Sequence, residues 1–114
     1  AELQGLLVLY NDGNFEGALA RSASLLERYT NSVVVLNIRG ACYAGLGHYD
    51  QAIESYRKAL EIKPEFADGY NNLASAFKEV GNLDEAIIYY HKALEIKPAY
   101  AEAYWNLGNC SKGV

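Results

Sequence analysis

Apolar and small residues recur at spacings of three and four in successive segments. Leu36, Gly40 and Tyr43 form one such stripe and Ala52, Tyr56 and Ala59 the next, so each set lies on one face of a helix. Two stripes in succession predict a helical hairpin. The punctuation between them agrees: Gly47 and Gly81 stand where a first helix must end, and Asp50 and Asp84 fall in the first turn of a second helix, where negative charge complements the helix dipole. Pro64 and Pro98 close the second helix, because proline lacks an N–H and disfavours helical geometry in the residue before it. Lys63 and Lys97 are therefore expected in the last helical turn.

The hairpin is a repeated unit. The run KALEIKP at Lys58–Pro64 returns unchanged at Lys92–Pro98, 34 residues later. The same offset pairs Asn37 with Asn71, Gly47 with Gly81, Asp50 with Asp84 and Tyr56 with Tyr90. A diverged first copy places Gly13, Phe15 and Ala18 at the sites of Gly47, Tyr49 and Ala52, with Thr30 where the other copies have proline. In a fourth copy Tyr104, Leu107 and Gly108 correspond to Tyr70, Leu73 and Ala74. The expected division is 1–32, 33–66, 67–100 and a partial unit 101–114. With no methionine in the chain and one helix in the last copy, the sequence is expected to be a fragment of a longer protein. Helices of about 13 residues are marginal alone in water, so these hairpins must stack their apolar faces on one another. Ala52 and Ala59 flank Tyr56, as Ala86 and Ala93 flank Tyr90, so small residues admit a neighbouring helix while tyrosine fills the space between. An all-α solenoid is predicted.

Composition removes several functions. The 114 residues suffice for one domain, and a net charge of −4 argues against a phosphate-binding surface, so nucleic acid is not an expected partner. No apolar run approaches the roughly 20 residues of a membrane span. Cys42 and Cys110 are two repeat lengths apart and share a site with Ala76, which makes them small core residues beyond disulfide reach. His48 falls in a turn and His91 on a second helix, neither spaced to activate a nucleophile. No phosphate-loop motif and no metal-ligand spacing occur, so catalytic residues, metal and cofactors are all expected to be absent.

The period of 34, with Leu36, Tyr70 or Tyr104, then Gly40, Ala74 or Gly108, then Tyr43 or Phe77, alanine, tyrosine, alanine and proline, resembles the tetratricopeptide repeat. Arg39 departs from it, since leucine is usual there. The resemblance implies a right-handed superhelical solenoid of antiparallel helix hairpins, about three repeats plus one extra helix. Its first helices would line a concave groove and its second helices the convex back. Such arrays generally bind a protein or peptide ligand in the groove, without catalysis. Counted from Val33, Ala67 and Ala101, the groove set is Val34, Asn37, Ile38 and Ala41, then Asp68, Asn71, Asn72, Ser75 and Lys78, then Glu102, Trp105, Asn106 and Asn109. Leu3, Leu7 and Tyr10 would extend an apolar N-terminal half. Asn72 and Asn106 occupy equivalent sites, similar to the asparagine ladder of O-GlcNAc transferase-type repeats, and asparagine offers a peptide backbone both donor and acceptor.

Tetratricopeptide domains that grip acidic chaperone tails use lysine, asparagine and arginine on these helices. Here Asn72 fits, but Asn37, Ala41, Glu102 and Asn106 stand in place of the other members. Two further readings follow from the resemblance and from the open ends. The chain is a recognition arm of a larger glycosyltransferase- or sulfotransferase-type enzyme, or a homo-oligomer joined through uncapped terminal helices.

Overall fold

The computed structural model describes residues 2–112 and the side chains of 3–110. Seven helices follow one another: α1 Glu2–Asn11, α2 Phe15–Arg28, α3 Val33–Gly45, α4 Tyr49–Ile62, α5 Ala67–Glu79, α6 Leu83–Ile96 and α7 Ala101–Lys112. The described residues contain no strand. The chain is an all-α repeat solenoid measuring 40 × 25 × 21 Å.

The hairpin turns share one chemistry. Gly13, Gly47 and Gly81 have φ of 78°, 79° and 87°, the left-handed region where a side chain is strained. At the middle turn the His48 N–H donates to the Tyr43 carbonyl at 2.8 Å and the Gly47 N–H to Ala44 at 3.0 Å, which satisfies carbonyls a helix end leaves open. The outer turns repeat this pattern. Lys63 and Lys97 are not in the last turn. With φ of −130° they leave helical geometry one residue early, in a conformation that suits the following proline, and their N–H groups still reach Ala59 and Ala93. Their ammonium groups lie 5.6 and 4.5 Å from the Phe66 and Tyr100 ring centres.

Two apolar clusters hold the stack. Leu6, Ala18, Leu25, Val35, Ile38 and Cys42 form the N-terminal one, and a larger cluster built on Tyr56, Leu73, Phe77 and Tyr90 runs from α4 to Cys110 on α7. Both cysteines are buried free thiols, each pushed up by burial. Each odd-numbered helix touches the next odd-numbered one, whereas α2, α4 and α6 touch only odd-numbered neighbours. That asymmetry curves the array. The odd helices line its inner face and the even helices spread apart on the outer face.

Candidate functional site: the inner face

The inner face begins apolar. Leu3 and Leu7 on α1 are 39% exposed and Val34 on α3 50%. Ile38, expected beside them, is instead 8% exposed and belongs to the N-terminal core. Its apolar side chain is held by Leu25, Val35 and Cys42 of that cluster, so it supports the groove from beneath.

Beyond it the asparagines bond to one another. Asn72 Nδ2 donates to Asn37 Oδ1 at 2.9 Å, and Asn106 Nδ2 donates to Asn71 Oδ1 at 3.3 Å. Both rungs join residues 35 apart, one more than the repeat. Successive odd helices are rotated against each other, so the fifth residue of one repeat faces the sixth of the next. Asn71 is 1% exposed, which makes it an internal support and not the open groove residue its spacing implied. Its burial is tolerated because its amide is bonded. Asn72 and Asn106 are half-buried, and each keeps its Oδ1 and a second N–H free of partners among the described residues. One register back, the same facing positions hold Leu3 and Ile38, so the rung there is apolar. Trp105 occupies the site of Asn37 and Asn71 in the last repeat and is 70% exposed.

Ser75 is also engaged. Its Oγ donates to the Asn71 carbonyl at 3.0 Å, leaving it to accept from the Tyr90 hydroxyl at 2.8 Å. Burial pushes the Tyr90 phenol up to about 12. Burial likewise raises Tyr100, and the nearby Asp68 carboxylate at the start of α5 raises it further. Lys78 on α5 is half-buried, its charge partly offsetting the effect of burial on the Cys110 thiol, and Asn109 and Glu102 are exposed on α7.

Ala41, Asn72 and Ser75 come together with Tyr10 around an open pocket of about 430 Å³. Ala44, Tyr49 and Glu79 are among its other lining residues and were not expected. Ala44 and Glu79 lie one turn beyond Ala41 and Ser75 on the same helix faces, so extending the three-and-four spacing finds them. Tyr49 begins the following helix and is brought in by the hairpin alone. The described residues hold no group of three or more His, Cys, Asp and Glu able to bind a metal ion, and no helix long and apolar enough to cross a membrane.

A curved stack of helix hairpins with an amide-lined inner groove defines a helical-repeat interaction fold. Residues 40–81 match the family model described as TPR repeat, and 67–100 that described as Tetratricopeptide repeat. The chain is a tetratricopeptide repeat protein. It is 41% identical over 71 residues to the probable UDP-N-acetylglucosamine–peptide N-acetylglucosaminyltransferase SEC of Arabidopsis thaliana, a match covering 62% of this chain and 7% of that protein. It is 32% identical over 60 residues to Hsp70-Hsp90 organizing protein 2 of the same plant, covering 53% of this chain and 10% of that one. The chain thus spans a small fraction of both relatives. Among solved structures, the first TPR of Spaghetti (RPAP3) bound to the HSP90 peptide SRMEEVD superposes with a TM-score of 0.83 at 22% identity, over 96% of this chain and 93% of that one.

Proposed function

We propose that this domain is a non-catalytic scaffold that holds an extended peptide or protein segment along its inner face. The observation that carries this is the pair of asparagine rungs, which fix Asn72 and Asn106 while leaving each an acceptor and a donor toward the groove. A peptide backbone presents the complementary pair at every residue, so the grip is nearly independent of side-chain identity. Leu3, Leu7 and Val34 add an apolar anchor at one end, and the 430 Å³ pocket beside Tyr10 takes a side chain. The HSP90 peptide on the Spaghetti domain supports a peptide in this groove, but its acidic tail suits this chain poorly. Glu79 lines the pocket, and the sites of the clamp cations hold Asn37, Glu102 and Asn106. Neutral or basic segments are therefore expected to bind at least several-fold better than acidic ones.

Titration with extended peptides, followed through the side-chain amide signals of Asn72 and Asn106, tests the assignment. Asn72→Ala with Asn106→Ala is expected to weaken binding roughly tenfold or more, at about 1 kcal/mol per lost hydrogen bond. Shifts confined to α2, α4 and α6 would overturn it.

The 41% identity to the SEC transferase favours a second reading, in which the domain is the recognition arm of a larger transferase. The parent reading frame decides that, since a frame encoding only helical repeats ends the idea.

A further inference from the structure

The curvature that draws the odd helices together on the inner face opens a cleft between α4 and α6 on the outer face. Its volume is about 370 Å³, and α5 supplies its floor through Tyr70 and Leu73. Tyr89 of α6 stacks against Tyr70 at 6.0 Å and 15°, and against Phe77 at 5.6 Å and 14°. Phe77 is buried, while Tyr70 and Tyr89 give the cleft an aromatic wall. Two cations flank it: the Arg57 guanidinium lies 5.5 Å from the Phe77 ring centre, and Lys92 Nζ lies 5.9 Å from that of Tyr70. Neither cation has a carboxylate within ion-pair distance among the described residues, although Glu61 shares the rim. In a chain of net charge −4 this is a local positive site over an aromatic surface.

Repeat packing does not demand this surface. The position of Tyr89 is Ser55 in the preceding repeat, that of Arg57 is Ala23 before it and His91 after it, and that of Tyr70 is Leu36. The equivalent cleft between α2 and α4 therefore has no aromatic wall, and Arg39, at the position of Leu73, turns inward to Ser22. Among the described residues, stacked rings and cations occur together only at the α4–α6 cleft.

We propose that the outer cleft between α4 and α6 is a second binding site, which receives from a partner protein an aromatic side chain flanked by carboxylates. The volume is at the small end of ligand sites, roughly 300–1,000 Å³, and fits one ring with its neighbours, not a long segment. The ring stacks on Tyr89 and Tyr70, and the flanking carboxylates pair with Arg57 and Lys92, whose planar fork and mobile ammonium reach different sides of it. Because this site faces away from the asparagine rungs, one molecule can hold a groove peptide and an outer partner at once.

The blocked tripeptide acetyl-Asp-Trp-Asp-amide tests this by saturable shifts of the Leu60, Leu73 and Tyr89 signals. Replacing both aspartates by asparagine, or tryptophan by alanine, is expected to weaken binding at least fivefold. Arg57→Ala with Lys92→Gln, both at exposed sites, is expected to do the same without loss of fold. Tyr89→Ser, the residue the preceding repeat carries there, should remove binding. The Asn72→Ala, Asn106→Ala protein should bind the tripeptide unchanged, which separates this site from the inner one. Shifts at Asn72 and Asn106 in place of the cleft, equal binding of the asparagine tripeptide, or no saturable shift would overturn the proposal.

Discussion

Ser22 stands where the later repeats carry Tyr56 and Tyr90, and its surroundings are altered to match. Those tyrosines face small residues across the hairpin: a Cβ added at Gly40 would lie 2.5 Å from the Tyr56 ring, and Ala74 holds the equivalent place for Tyr90. In the first repeat that place is the fully buried Leu6, opposite a small Ser22. The large and small partners have exchanged sides. Arg39 then enters from α3, donating to Ser22 Oγ at 2.8 Å, to the Leu19 carbonyl at 3.2 Å and to the Tyr43 hydroxyl at 3.1 Å. The departure from the family's leucine thus belongs to packing. Arg39→Leu is expected to destabilise the fold by about 2 kcal/mol, read as a lower urea midpoint, through loss of charge-assisted hydrogen bonds. Adding Leu6→Ala and Ser22→Tyr, which restores the pattern of the other repeats, should recover most of it. Tyr90 gives a second test at this scale. Its phenol is raised to about 12, so the fold favours the neutral form. That contribution is complete below the ordinary tyrosine value near 10 and is lost as pH rises toward 12. Urea midpoints should fall between those pH values, and less steeply for Tyr90→Phe.

At the scale of elements, the helices end where local chemistry ends them, and the proline is not what does it. Tyr29 adopts φ −127° before Thr30, close to the −130° of Lys63 and Lys97 before their prolines. The extended backbone of Tyr29 already suits a proline after it, and the Thr30 N–H has no partner among the described residues. Thr30→Pro should therefore stabilise the protein by about 0.5–1 kcal/mol, chiefly by restricting the unfolded chain, as thermal or urea unfolding will show. Gly40 makes the opposite case. Alanine there gains up to about 1 kcal/mol of helix propensity but drives α3 away from the Tyr56 ring on α4. We expect Gly40→Ala to lower stability by about 1–2 kcal/mol net. A gain in the urea midpoint would show that α4 gives way more easily than the packing indicates.

At the scale of the whole molecule, curvature divides one repeat pattern into two faces with different chemistry. The inner face carries amides and an apolar end, while the outer face carries a stacked cleft. Among the described residues α7 carries an exposed aromatic pair. Tyr104 occupies the site where Tyr70 stacks on Tyr89, yet it is 56% exposed, and Trp105 beside it 70%. Burying two aromatic rings is worth several kcal/mol, at about 25 cal/mol per Å², so association through α7 is expected at high concentration. Sedimentation coefficients should rise with concentration and stop rising for Tyr104→Glu with Trp105→Glu. A monomer at every concentration would end that expectation.

The hairpins, their turns and the stacking into a solenoid were legible in the sequence because each depends on short-range rules. Spacing of three and four sets a helix face, a glycine with positive φ ends a helix, and a 34-residue identity forces equal units to share one environment. Tertiary structure alone decided which equivalent residues are free. The repeat made Ile38, Asn72 and Asn106 alike, but the rotation between odd helices offset the rungs by one residue, buried Asn71 and sank Ile38 into the core. It also opened the outer cleft. Periodicity fixes a residue's place within its own helix, whereas contact with a neighbour depends on how one helix is turned and spread against the next.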